Sequence, residues 1–211
     1  MGDVEGRSRV SRRRAVSSLC AAALSIATVS AQDTPKAPAQ SAAEELAQAL
    51  GEYRRASQPG AEHRWLEPLE GEWDMEVAWK GSDGTPRKVA GEATHRWVLG
   101  GRFLLSEAQL TEEGVPLEAL SFYGFDANKK RYFALRLDSL STDYLQLEGN
   151  YDVASRSFVL SGKDRDEMSG VQVTYRMRLH VPEPDRHSIE LFVDYPGRGP
   201  VKILDAAYTR R

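Results

Sequence analysis

The residues able to do chemistry in this chain are few and scattered. Its four histidines are His63, His95, His180 and His187. No two stand at the i, i+4 spacing of a helical metal site and none stands beside a cysteine, so no metal site is written in their spacing. His63 reads as a surface helix residue, and His180 and His187 as exposed flanks of a hairpin; three histidines converging on zinc is the minor alternative. His95 shares a strand phase with Val89, Gly91, Ala93 and Trp97, which turns its imidazole inward. There it is either a core group bonded to a neighbour or a contact for a guest.

An acid facing His95 would complete an acid–base pair, and Glu107 and Asp138 are the nominees. Arg136 and Asp138 lie two apart, on one strand face with Tyr132. If Phe133, Leu135 and Leu137 take the core, the two form a surface ion pair of little worth. If the other face turns in, they anchor a carboxylate or other acid guest. His95, Glu107, Arg136 and Asp138 are therefore the candidate ligand-binding residues, and no catalytic set or metal ligand is assigned. There is no Gly-x-Ser-x-Gly elbow, no Gly-x-Gly-x-x-Gly and no Walker loop, so hydrolase and nucleotide chemistry find no support and no cofactor is expected.

The elements that must position these residues are strands. In "LEGEWDMEVAW", Trp73, Met75, Val77 and Trp79 share one face while Glu72, Asp74, Glu76 and Lys80 share the other, the pattern of a strand between core and water. Period two continues to the C-terminus and predicts ten strands: 72–80, 87–98, 102–111, 117–125, 131–138, 143–151, 157–163, 171–181, 187–194 and 200–208. The breaks between them are Gly-, Asn-, Asp- and Ser-rich turns too short for a crossover helix, so consecutive strands pair antiparallel. Ten strands in a meander leave two bare edges unless the sheet closes. The expected fold is all-β, a closed up-and-down antiparallel barrel with a short N-terminal helical segment.

Before the strands, Ser41 to Glu44 has capping-box spacing, and Leu46, Leu50 and Tyr53 form an apolar stripe, predicting a helix over 41–56. A second short helix is expected over 62–67. Further upstream, Arg12-Arg13-Arg14 precedes an apolar run from Ala15 to Val29, and Val29-Ser30-Ala31 supplies the small residues of a signal-peptidase site. The run is shorter than the roughly 20 residues of a membrane span. The reading is a signal peptide over 1–31, by the Sec or twin-arginine route, a leader and helix over 32–60, and a barrel domain over 61–211. Localisation is then periplasmic or extracellular, with no membrane span after cleavage.

Cys20, the single cysteine, falls inside that run, so the mature chain has no thiol chemistry. Losing five arginines and two acids with residues 1–31 moves the formal net charge from −3 to −6. An acidic chain with no basic, aromatic-interleaved patch is a poor nucleic-acid binder.

Gly71-x-Trp73 after a short helix resembles the opening of lipocalin-type barrels. That resemblance implies that Arg210, near the end of the last strand, closes the barrel by lying over Trp73. A wider set of pieces resembles the bacterial family known as domain of unknown function 1579. They are His63-Arg-Trp-Leu66, Leu69-x-Gly71-x-Trp73, Leu99-Gly-Gly-Arg-Phe103, Gly124-Phe-Asp126, Asp138-Ser139, Gly149-x-Tyr151-Asp152 and Tyr208-Thr-Arg210. The resemblance implies a lipocalin- or nitrobindin-like barrel and brings no activity. Two departures stand out: Arg136 where the family usually has Trp, and Phe125 where it usually has Tyr.

Haem-binding barrels share the ten strands and the Gly-x-Trp start, and in them a late histidine holds the iron. Here no histidine follows His187 and Tyr208 is the only residue near the end able to ligate iron, so no haem is expected. The functional expectation is an exported barrel that binds a small apolar or amphipathic molecule. The alternatives are an acid–base enzyme of isomerase or lyase type and a structural protein with no ligand.

Overall fold

The computed structural model describes residues 39–80, 84–166 and 169–211. The expected signal peptide, residues 1–31, lies outside them. The chain divides into two compact units between Gly51 and Glu52. Helix α1, Ala39–Ala56, crosses that division, and Leu46, Leu50 and Tyr53 on it are exposed. Ser41 stands in the first turn of this helix. The second expected helix is two 3-10 turns, Ala61–Trp65 and Glu67–Leu69, split where Pro68 cannot extend a hydrogen-bond ladder.

Ten strands follow: β1 Gly71–Lys80, β2 Pro86–Val98, β3 Phe103–Glu112, β4 Val115–Asp126, β5 Arg131–Asp138, β6 Leu145–Asp152, β7 Ser157–Arg165, β8 Gln172–Glu183, β9 Arg186–Asp194 and β10 Pro200–Arg210. Each pairs antiparallel with its neighbour in sequence, and β1 also pairs with β10, which closes the barrel. Closure leaves no unpaired edge. The strands and their order are those the period-two pattern predicts; the ends move by a few residues, mainly because β4 and β8 run further into their hairpins.

The two tryptophans of β1 have different tasks. Trp73 is fully buried, and its indole N–H donates to the Leu69 carbonyl at 2.9 Å. Leu66 and Leu69, on the 3-10 turns, are buried beside it, and the Tyr132 hydroxyl donates to the Glu62 carbonyl at 2.9 Å. The turns thus plug one end of the barrel. Trp79, at the other end of β1, lines an open cavity.

Candidate functional site

At the plugged end, the Arg210 guanidinium carbon lies 4.3 Å from the Trp73 ring centroid. Its nitrogens donate to the carbonyls of Glu70, Pro68 and Pro184 at 2.7–2.9 Å. A Cβ on Gly71 would run into that guanidinium, and Gly71 has φ +134°, a backbone that side-chain-bearing residues rarely adopt. The Gly-x-Trp pattern has a physical cause here: the glycine makes room for the cation that covers the tryptophan.

Beneath Trp73 lies a cluster of rings. His187 packs its face on Tyr208 at 4.1 Å between centroids and meets Trp73 edge-on at 4.3 Å, with His95 5.3 Å away. The His95 Nδ1–H donates to the Leu69 carbonyl at 2.9 Å; among the described residues its Nε2 has no partner, nor does either nitrogen of His187. Burial, the largest influence on both, pushes His95 down to about 4 and His187 to about 2. The rings are therefore neutral at physiological pH. Burial pushes the Tyr208 phenol upward, which keeps its proton in place.

His187 corrects the sequence reading, which placed it exposed at a hairpin: it is 3 % exposed. It begins β9 in phase with Ile189, Leu191 and Val193, all buried, and that alternation was the signal available. His180 is half-buried, not exposed, its Nδ1 3.0 Å from the Ser155 carbonyl. His63 is also half-buried, and its Nδ1 accepts the Gly60 N–H at 3.1 Å. Among the described residues no group of three or more His, Asp or Glu side chains is placed to hold a metal ion.

Above the rings the barrel is hollow. A cavity of about 740 Å³ runs from a floor of Met75, Tyr123 and Tyr208 to the hairpin ends at Glu113, Ser141 and Asp166. Its wall is asymmetric. On one side stand Met177, Ile189 and Leu191; on the other, β3 and β4 contribute Ser106, Ala108, Ala119 and Ser121. Strand registry aligns these small residues in two rows. One runs His95, Ser106, Ser121, Arg136 across β2 to β5, and the next runs Ala93, Ala108, Ala119, Asp138.

The four candidate ligand residues separate on this frame. Arg136 and Asp138 both line the cavity, with Arg136 Nε 3.5 Å from Asp138 Oδ2. The face of β5 that turns inward is Tyr132, Ala134, Arg136 and Asp138, while Leu137 is exposed, so the surface-ion-pair reading is corrected. His95 faces inward but packs below the floor and does not line the cavity. Glu107 is on the outer face, its carboxylate 3.0 Å from Arg96 Nε. It pairs across the ladder with Thr94, one residue out of phase with His95. The nominated acid–base pair is therefore not assembled: Glu107 is outside, and Asp138 ends β5 at the mouth while His95 lies at the plugged end.

Sequence reasoning also missed the small-residue wall and the floor phenol of Tyr123, and weighed Tyr208 only as an iron ligand, because alanine and serine carry no chemical signal until strand registry aligns them.

A closed ten-stranded antiparallel barrel, plugged at one end and hollow toward the other, defines the class of a lipocalin-like barrel. The chain belongs to the family described as "Protein of unknown function (DUF1579)", whose model matches residues 58–210. Among solved structures it is similar to Rv2717c from M. tuberculosis, at 18 % identity and a TM-score of 0.55, covering 73 % of this chain and 99 % of that one. It is also similar to the S-type phycobiliprotein lyase CPES from Guillardia theta, at 11 % identity and a TM-score of 0.51, covering 72 % and 98 %. At such identities the likeness is one of fold. A comparison with curated proteins finds no match.

Proposed function

We propose that this protein binds one small amphipathic molecule inside the barrel. The observation that carries the reading is the cavity: about 740 Å³, walled mainly by apolar side chains, with a few polar groups converging on it. Ligand sites in proteins are concave, mostly apolar and on the order of 300–1,000 Å³. A barrel that served only as a scaffold would gain by filling that space, since each buried methylene is worth about 0.8 kcal/mol.

The test is to incubate the purified protein with a mixture of hydrophobic metabolites, repurify it and examine it by native mass spectrometry. A retained guest of defined mass, which also raises the melting temperature when added pure, is the expected result. No retained mass and no shift for any compound leaves the structural role as the better reading.

We further propose that binding takes place after export, on the strength of the basic-then-apolar segment before Ala31. N-terminal sequencing of the protein from its source cells is expected to begin at Gln32. An intact Met1 start on the functional protein would overturn this.

A further inference from the structure

The rim of the cavity carries more acid than base: Glu112, Glu113, Glu118, Asp143, Asp164 and Asp166 against Arg87 and Arg165. Taken alone, that rim would favour a cation. The groups deeper in the wall favour the opposite charge, and they are the ones a bound molecule touches.

Arg136 projects from β5 into the cavity, with its Nε 3.5 Å from Asp138 Oδ2. Asp138 is itself held, its Oδ1 accepting the Leu140 N–H at 3.1 Å. Among the described residues no hydrogen bond engages the two terminal amino groups of Arg136. With Asp138 beside Nε, the guanidinium can turn those two groups to the cavity as a parallel fork, the geometry that matches a carboxylate in bidentate fashion. Its positive charge is felt by both floor phenols, Tyr123 and Tyr208. Next to it in the same cross-strand row, Ser121 and then Ser106 offer hydroxyls. One row toward the mouth is Ala108, and the apolar Val77 and Leu191 also line the cavity.

We infer that the cavity's guest is an amphipathic monocarboxylate, its acid group held by the Arg136 fork with Ser121 and its apolar body lying along the alanine and serine wall of β3 and β4. This deepens the proposed function and rests on it. The acidic rim does not decide the matter, because Glu112 and Glu113 pair with Arg87, Asp166 accepts the Tyr195 hydroxyl, and the exposed Glu118, Asp143 and Asp164 act through a screening length of about 8 Å, whereas the fork acts at contact. Asp138 is the local competitor for Arg136, which gives the inference a second, opposite handle.

The test uses three single-chain probes of equal length, dodecanoate, dodecanol and dodecyltrimethylammonium, with binding read from the change in intrinsic tryptophan fluorescence, to which the cavity-lining Trp79 contributes, and confirmed by calorimetry at pH 7.5. Dodecanoate is expected to bind at least tenfold more tightly than dodecanol, and the ammonium most weakly. Arg136→Gln is expected to remove the carboxylate advantage while leaving dodecanol affinity within twofold, which also shows that the variant is folded. Asp138→Asn is expected to strengthen dodecanoate binding severalfold and leave dodecanol unchanged. Equal affinity for acid and alcohol, a preference for the ammonium, or an acid preference that survives Arg136→Gln overturns the inference while leaving a binding barrel standing. Binding of none of the three overturns the inference and counts against the binding function with it.

Discussion

At the scale of single residues, the plugged end concentrates what is unusual. His95 and His187 are buried neutral rings with nitrogens that no group among the described residues satisfies. Burial lowers both, and the Arg210 guanidinium adds to the effect in each case. The unfolded chain takes up protons near the ordinary histidine value of 6.5, and the folded chain does not until about pH 4 for His95 and lower for His187. Stability is therefore whole above pH 6.5 and falls as the pH drops below it, because the unfolded state binds more protons there. Over the two pH units from 6.5 to 4.5 each ring withholds about one proton, a loss on the order of 2 kcal/mol apiece. Urea denaturation should show a midpoint that drops steeply between pH 7 and pH 4.5, with a clearly shallower drop in His187→Phe, which keeps a ring against Tyr208. A midpoint that does not move over that range would contradict the buried, neutral assignment. Of these two rings the sequence exposed one: the phase of His95 was legible from Trp97 and Ala93. His187 was hidden by its place next to a turn, where exposure is the ordinary outcome.

At the scale of elements, β5 shows where periodicity stops deciding. Its two faces are Tyr132, Ala134, Arg136 and Asp138 against Phe133, Leu135 and Leu137. By hydrophobicity alone the second belongs inside. It lies outside because β3 and β4 also present apolar residues on that face: Leu120 pairs with Leu137, Phe122 with Leu135, and Phe103 and Phe133 are in ring contact at 6.0 Å. The inner face can carry an ion pair because it borders a hollow and not packed core. Strand count, order and closure were readable because each turn is short. The direction of β5 was not, because a cavity relaxes the rule that ties burial to apolarity. The neighbouring strands supply a direct check. Ala108→Leu with Ala119→Leu puts six methylene equivalents into the hollow from the two central positions of the alanine row. Probe binding should weaken by more than tenfold, while stability stays within about 1 kcal/mol of the parent or rises, since the added groups meet open space instead of a packed core. A large loss of stability with binding intact would mean that the guest lies elsewhere.

At the scale of the whole molecule, the barrel separates two jobs along its axis. Stability is concentrated at the plugged end, where the 3-10 turns, Trp73, Arg210 and the ring cluster are packed and both sheet termini meet. The mouth half carries the cavity, whose wall shares Val77, Met177, Ile189 and Leu191 with that core. A guest bound in the hollow should then stabilise the native barrel without reorganising it. For a single site, free ligand at a hundredfold excess over Kd raises the unfolding free energy by about 2.7 kcal/mol. The dependence on denaturant should keep its slope, because that slope follows the surface exposed on unfolding and the closed barrel is already formed without the guest. Urea melts at rising dodecanoate should therefore shift in midpoint at constant slope, and calorimetry should give one molecule per chain. A slope that grows with ligand would mean that the guest orders part of the barrel, and a stoichiometry well above one would mean adsorption to the outer apolar face of β3 to β5 in place of entry into the cavity.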